Sequence, residues 1–315
     1  MRHFTTHENL TNQIRRYILV VAKKHNKKNT WRQEINDIVR GTCGGFLFGI
    51  PLIYTMEVWW IGSLAKPRLI VIAIVLMFIV VLLLNYTEGF RKRKNNWRVD
   101  EAAIDTVEAM AIGFVCSAFM LWLLQEITPA TSLKESLGKV VFEGVPFTLG
   151  VALANQFFQE GDQNNSISIT PQGNGISEHK QNGLHATFAD LGATLIGAIV
   201  IGFNIAPTDE VPMLAAAISP PWLLALMAAS LVISYAIVFQ AGFSDQQKRR
   251  QQKGIFQRPL SETTISYLIS LLASGLMLFF FQKVTLADPW MMWLEHTLVL
   301  GLPTTIGGAA GRLAI

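Results

Sequence analysis

The sequence predicts an all-α, polytopic membrane protein with eight transmembrane helices in two parallel four-helix repeats. Three observations carry that prediction. Hydrophobic residues make up 51% of the 315 and charged ones only 15%, a composition suited to lipid as the solvent. Apolar stretches recur at 41–60, 69–86, 104–124, 140–156, 186–205, 222–239, 265–281 and 294–314, each close to the ~20 residues that cross ~30 Å of hydrocarbon. The chain also repeats itself. Shifted by 153 residues, Asp37 meets Asp190, Gly44 meets Gly197, Gly49 meets Gly202, Glu57 meets Glu210 and Pro67 meets Pro220. From the third span onward a shift of 157 pairs Ser117 with Ser274, Gln125 with Gln282, Thr128 with Thr285, and "GVPFTLG" with "GLPTTIG". A unit of four spans enters the membrane twice from the same side, so the repeat is parallel, about an axis along the membrane normal.

Residues 1–36 come first. Leu10, Ile14, Tyr17, Ile18 and Val21 recur at helical spacing among many basic residues. That pattern fits an amphipathic helix on the inner membrane surface or a solvated helix against cytoplasmic loops. No apolar core with a small-residue cleavage site marks a signal peptide. The first repeat is expected over 37–156 and the second over 186–315. Between them, 157–185 is rich in Asn, Gln, Ser and Gly, as a mobile polar linker would be. Of the 26 Lys and Arg, 21 fall in the termini and the even-numbered connections and 5 in the others. The positive-inside rule then puts both termini in the cytoplasm of a bacterial inner membrane. The excess charge reports orientation and anionic lipid at the cytoplasmic surface, not nucleic acid.

Glycines and prolines are the first candidates for special roles. Gly41, Gly45 and Gly49 in the first span, with Gly197 and Gly202 in the fifth, would let backbones approach closely. Pro146 and Pro303 each free a backbone carbonyl inside a span, with Thr148 and Thr305 two residues on. Such breaks line ion sites in some proteins and serve packing in others. Both readings stand.

Ionisable residues at spans are the sharper signal. Asp37 and Asp190 are expected to begin the first and fifth spans, and Asp105 and Glu262 the third and seventh, as interfacial helix-starting acids. Glu143 and Glu108 face apolar counterparts, Leu300 and Ile265, in the other repeat. Glu57 and Glu210 are expected to end spans one and five, where the helix dipole disfavours them. A rotation about the membrane normal would bring these two to one depth, with Asp209 nearby. They would then form either an acidic ring at the outer mouth or two separate interfacial acids.

No enzymatic motif is present, so neither an enzyme, a cofactor nor a metal is expected. Cys43 and Cys116 both fall in apolar spans and read as buried hydrophobes. The overall length, the eight-span pattern and the segments "GFRKRK" and "GVPFTLG" resemble the bacterial integral membrane proteins of the DUF2391 type. The resemblance covers nearly the whole chain and implies no activity, substrate or catalytic residue. The residues themselves point to translocation of an inorganic ion, a cation, by a channel or simple transporter, with homo-oligomerisation left open. The rival is a non-transporting scaffold or sensor acting through the basic N-terminal helix and the linker.

The charge count makes a topological prediction. Cysteines introduced as Gln172→Cys and Gln252→Cys are expected to be shielded from an impermeant thiol reagent in intact cells, and Thr131→Cys to be labelled. Labelling at 172 from outside would reject eight spans.

Overall fold

The structure is a computed structural model that describes residues 31, 34–88, 99–163, 178–240 and 259–314. Among these, all regular structure is helical. The ten helices are α1 Glu34–Leu52, α2 Met56–Leu64, α3 Pro67–Glu88, α4 Val99–Leu123, α5 Leu133–Gln163, α6 Glu178–Ile205, α7 Glu210–Ala217, α8 Pro220–Tyr235, α9 Pro259–Phe280 and α10 Trp290–Leu313. A single π turn, Ala236–Gln240, extends α8. Val39–Ile315 forms one compact unit and Met1–Ile38 clusters apart from it. The larger unit takes in 186–315 and all of 37–156 except residues 37 and 38. The expected amphipathic N-terminal segment falls almost wholly outside the described residues. Helix α5 runs to Gln163 and α6 starts at Glu178, so both extend into the stretch expected to be linker.

Five helices, α3, α4, α5, α8 and α9, are long and apolar enough to cross a membrane. Seven spans result if α1 with α2 and α6 with α7 each count as one. The eighth expected stretch lies in α10, where Glu295, His296, the threonines and the glycines lower the hydropathy below that of the five. It is instead an enclosed helix, buried at His296 and continuously over 298–309, and it packs against α6, α7, α8 and α9. Helix α3 is the opposite case. Its Leu69, Val71, Ile72, Val75, Leu76, Ile79, Val80 and Leu83 are all exposed. So large an aliphatic surface is untenable in water, and lipid is its natural solvent.

The first and fifth apolar runs depart from straight spans. Helices α1 and α2 meet at 96°, and the Ala189–Ile205 part of α6 meets α7 at 90°. Hydropathy registers an apolar run and is blind to its direction, so the sequence reading joined 41–60 into one helix. Conversely, Pro146 and Pro303 do not interrupt their helices: α5 and α10 each continue through the proline. In α10 the missing N–H leaves the Val299 carbonyl without its helical donor, and the Tyr54 hydroxyl supplies one at 2.6 Å. Asp190 lies in the first turn of the candidate span piece Ala189–Ile205, as expected, although α6 itself begins earlier, at Glu178.

Helices α1 and α5 touch backbone to backbone where Gly44 faces Gly150; a Cβ on Gly44 would stand 2.5 Å from the Gly150 carbonyl oxygen. The same contact joins α6 and α10 at Gly197 and Gly307. Gly44, outside the 41/45/49 stripe, thus makes the glycine-to-glycine backbone contact of α1. Gly45 packs on Val151 and Phe147, Gly49 on the Phe147 ring, and Gly202 on Thr304 and Met277, while Gly41 is buried in α1. Cys43 and Cys116 are free, buried thiols. The crowding has a measurable consequence. Gly197→Ala must push Gly307 away and is expected to cost roughly 1–3 kcal/mol, read as a lowered Tm in detergent. Gly192→Ala, where nothing lies within 4 Å, is the control and is expected to melt no lower than wild type.

Candidate functional site

Helix α5 starts from Ser132, whose hydroxyl accepts the Glu135 N–H at 3.3 Å, an N-capping arrangement. One turn on, the Lys139 ammonium reaches Glu135 at 3.1 Å, the Glu126 carboxylate at 3.1 Å and the Glu126 carbonyl at 2.9 Å. An ammonium has three protons, and all three are engaged, drawn toward the helix N-terminus. One further turn in, Glu143 is 1% exposed and neither of its carboxylate oxygens has a hydrogen-bond partner. Lys139, at i−4, is the obvious counter-charge and is already fully used. Thr148 is also buried with an unpartnered hydroxyl, set against Gly113 of α4. Its counterpart Thr305 donates to the Gly301 carbonyl at 2.6 Å, so only the first threonine is left unpartnered.

The repeat-related acids have unlike surroundings. Glu57 lies in the first turn of α2 and Glu210 in that of α7. Both therefore begin short helices after the bends and do not end long ones, and the helix dipole favours rather than disfavours them there. Glu57 is exposed, whereas Glu210 is buried with one oxygen, Oε2, unpartnered. The two carboxylates are thus unlike in exposure, one open and one enclosed. Asp209, at the N-cap of α7, is exposed and pairs with Lys283 at 2.7 Å, a surface contact of small energetic value. Asp37 lies in the first turn of α1, half-buried.

Sequence reasoning missed Arg312, counted there as a terminal loop charge. It is completely buried in the last turn of α10, bonded to Glu262 in the first turn of α9 and to the Ser266 hydroxyl at 3.2 Å, with its guanidinium 5.6 Å from the Phe239 ring centre. A cation at a helix C-terminus and an anion at a neighbouring N-terminus suit both dipoles. The signal available in sequence was an Arg placed one turn from the end of an apolar run, with an acid opening the run before it.

The loop after α4 and the loop after α9 share one construction. Gln125 and Gln282 both take left-handed backbone conformations, with φ of 63° and 57°. The Thr128 N–H is accepted by the Thr131 hydroxyl at 3.0 Å, and the Thr285 N–H by the Asp288 carboxylate at 2.7 Å.

Enclosed glycine-packed helices, lipid-facing aliphatic faces and ionisable groups inside candidate spans define an α-helical integral membrane protein. Residues 37–315 match the family described as integral membrane proteins (DUF2391), and the chain belongs to that family. No curated protein and no solved structure matches it.

The second of the two turns carries a pH dependence. The Thr285 N–H and hydroxyl hold the Asp288 carboxyl below its ordinary value of 3.8. A depressed folded pKa gives stability that is complete above 3.8 and is lost as pH falls through the lowered value. Asp288→Thr installs the hydroxyl found in the other turn and is expected to remove that dependence. The Tm difference between wild type and variant should then be constant from pH 8 to 5 and change below pH 4.

Proposed function

We propose that the protein translocates a cation across the bilayer as a channel or simple transporter, and is not an enzyme. One observation carries this reading: Glu143, a carboxylate enclosed within the candidate span Leu133–Ala154 with no partner for either oxygen. A buried unpaired charge costs several kcal/mol, and ionisable groups at such depth mark ion and proton pathways. Neutralising the carboxylate requires a proton or a cation. This single site takes the place of the expected outer ring of Glu57 and Glu210, with Pro146 about one turn deeper on α5 and Thr148 beyond it, facing Gly113 of α4.

The architecture proposed with it is eight spans in two parallel repeats, both termini cytoplasmic in a bacterial inner membrane. Paired contacts support it. Under the shifts of 153 and 157, Gly44 with Gly150 becomes Gly197 with Gly307, Gly49 with Phe147 becomes Gly202 with Thr304, and Gly144 with Phe114 becomes Gly301 with Leu271. The two elbows and the two left-handed glutamines follow the same shifts. In that orientation the basic residues of 1–40 and the even-numbered connections meet anionic headgroups.

Flux through liposomes tests the function. Wild type reconstituted at low density is expected to carry a cation down its gradient, with anions excluded. Glu143→Gln is expected to reduce that flux at least tenfold while melting no lower than wild type, since the substitution relieves a buried charge. Absence of flux for every cation tried would reject translocation in favour of a scaffold or sensor.

A further inference from the structure

Helix α5 faces the α1–α2 elbow along one stripe, 139, 143, 147, 150 and 154, at helical spacing. The contacts along it are printed in glycines. Gly62 of α2 meets Gly138 and Lys139, Gly49 of α1 meets Phe147, and Gly44 meets Gly150 and Ala154. Glu143 lies on this stripe between the Gly62 and Gly49 contacts, level with residues 53–55 where the chain turns through 96°.

That elbow is the C-terminal end of α1, and a helix C-terminus presents carbonyls without helical donors and a negative dipole end. Some of these carbonyls are satisfied. The Gly49 carbonyl takes the Ile53 N–H at 2.9 Å, the Leu52 carbonyl the Thr55 N–H at 3.1 Å, and the Ile53 carbonyl the Trp59 indole at 2.7 Å. Among the described residues, those of Ile50 and Pro51 receive no hydrogen bond, and Ile50 is fully buried. By the register of these contacts, a carboxylate and a helix C-terminus, neither with a compensating partner, stand at one level along α5. Each raises the cost of the other, and one cation would compensate both. This pairing of an acid with the carbonyls of an interrupted helix is chemistry suited to a dehydrated ion.

We propose that Glu143 and the carbonyl end of α1 at the elbow form a binding site for one monovalent inorganic cation. The charge sets the class. A single carboxylate with neutral carbonyls balances one positive charge, and no group of three or more His, Cys, Asp or Glu able to hold a metal ion occurs among the described residues, which leaves a divalent ion undercompensated. The site deepens the translocation reading by naming where the ion would rest, and at the equivalent position of the second repeat Leu300 supplies no carboxylate.

Equilibrium stabilisation tests it separately from flux. Purified full-length protein in detergent is melted at pH 8 and constant ionic strength while choline chloride is exchanged for LiCl, NaCl or KCl. At least one of the three is expected to raise Tm saturably, by roughly 5 °C at about a hundred times its Kd, and Glu143→Gln is expected not to respond. Equal melting in all four salts, or an equal rise in Glu143→Gln, overturns the site. Should that variant not fold, Glu143→Asp keeps the charge at shorter reach, and an unchanged half-saturating concentration there overturns the site as well. A Glu143-dependent rise in protein that carries no flux keeps the site and rejects translocation; flux without any rise does the reverse.

Discussion

Backbone-to-backbone contact at Gly44 with Gly150 and at Gly197 with Gly307 sets the spacing from which the remaining geometry follows. In lipid there is little hydrophobic force to drive helices together, so close approach and dispersion must do it. Where α1 lies against α5 at that distance, Phe147 fits over Gly49, which has no side chain to obstruct it, and the chain bends a turn later, between Leu52 and Met56. It turns, and Gly62 lets α2 return to meet Gly138. The enclosure of Glu143 is thus a by-product of glycine placement on both sides of it.

Tyr54 shows how the halves are tied. Its hydroxyl lies in the first elbow and donates to the carbonyl that Pro303 frees in α10. Trp122 and Trp222 add an edge-to-face contact, 4.8 Å between ring centres. A proline that reads in isolation as a helix breaker is therefore a point of attachment, and the long helix around it stays continuous because the orphaned acceptor finds a partner.

Much of this architecture was legible in the sequence, and the reasons for what was not are physical. Composition identified lipid as the solvent and the apolar pattern with its two short segments identified the family, while the internal shifts aligned Gly44 with Gly197 without showing which glycines meet. The elbows escaped because an apolar run looks the same bent or straight. Yet Thr55 ahead of Glu57, and Pro207 with Asp209 ahead of Glu210, are helix-start residues that could have been read as such. Glu143 was legible as an ionisable residue inside a span, but not its isolation. That depends on Lys139 being held by Glu126, a partner across the turn between α4 and α5. Arg312 escaped for a related cause: counting charges by loop assumes that a charge near a helix end faces water.

The engagement of Lys139 has an electrostatic consequence. Glu126 and Glu135 set two negative charges against it, and Lys134 in the same first turn of α5 supplies a second positive one, so the charges at the entrance to α5 balance. At the matching end of the other half, Asp209 and Lys283 cancel. Charges balanced within so short a distance leave little field beyond them, well inside the ~10 Å Debye length of 0.1 M salt. The entrance to α5 is thereby nearly blind to the surrounding salt.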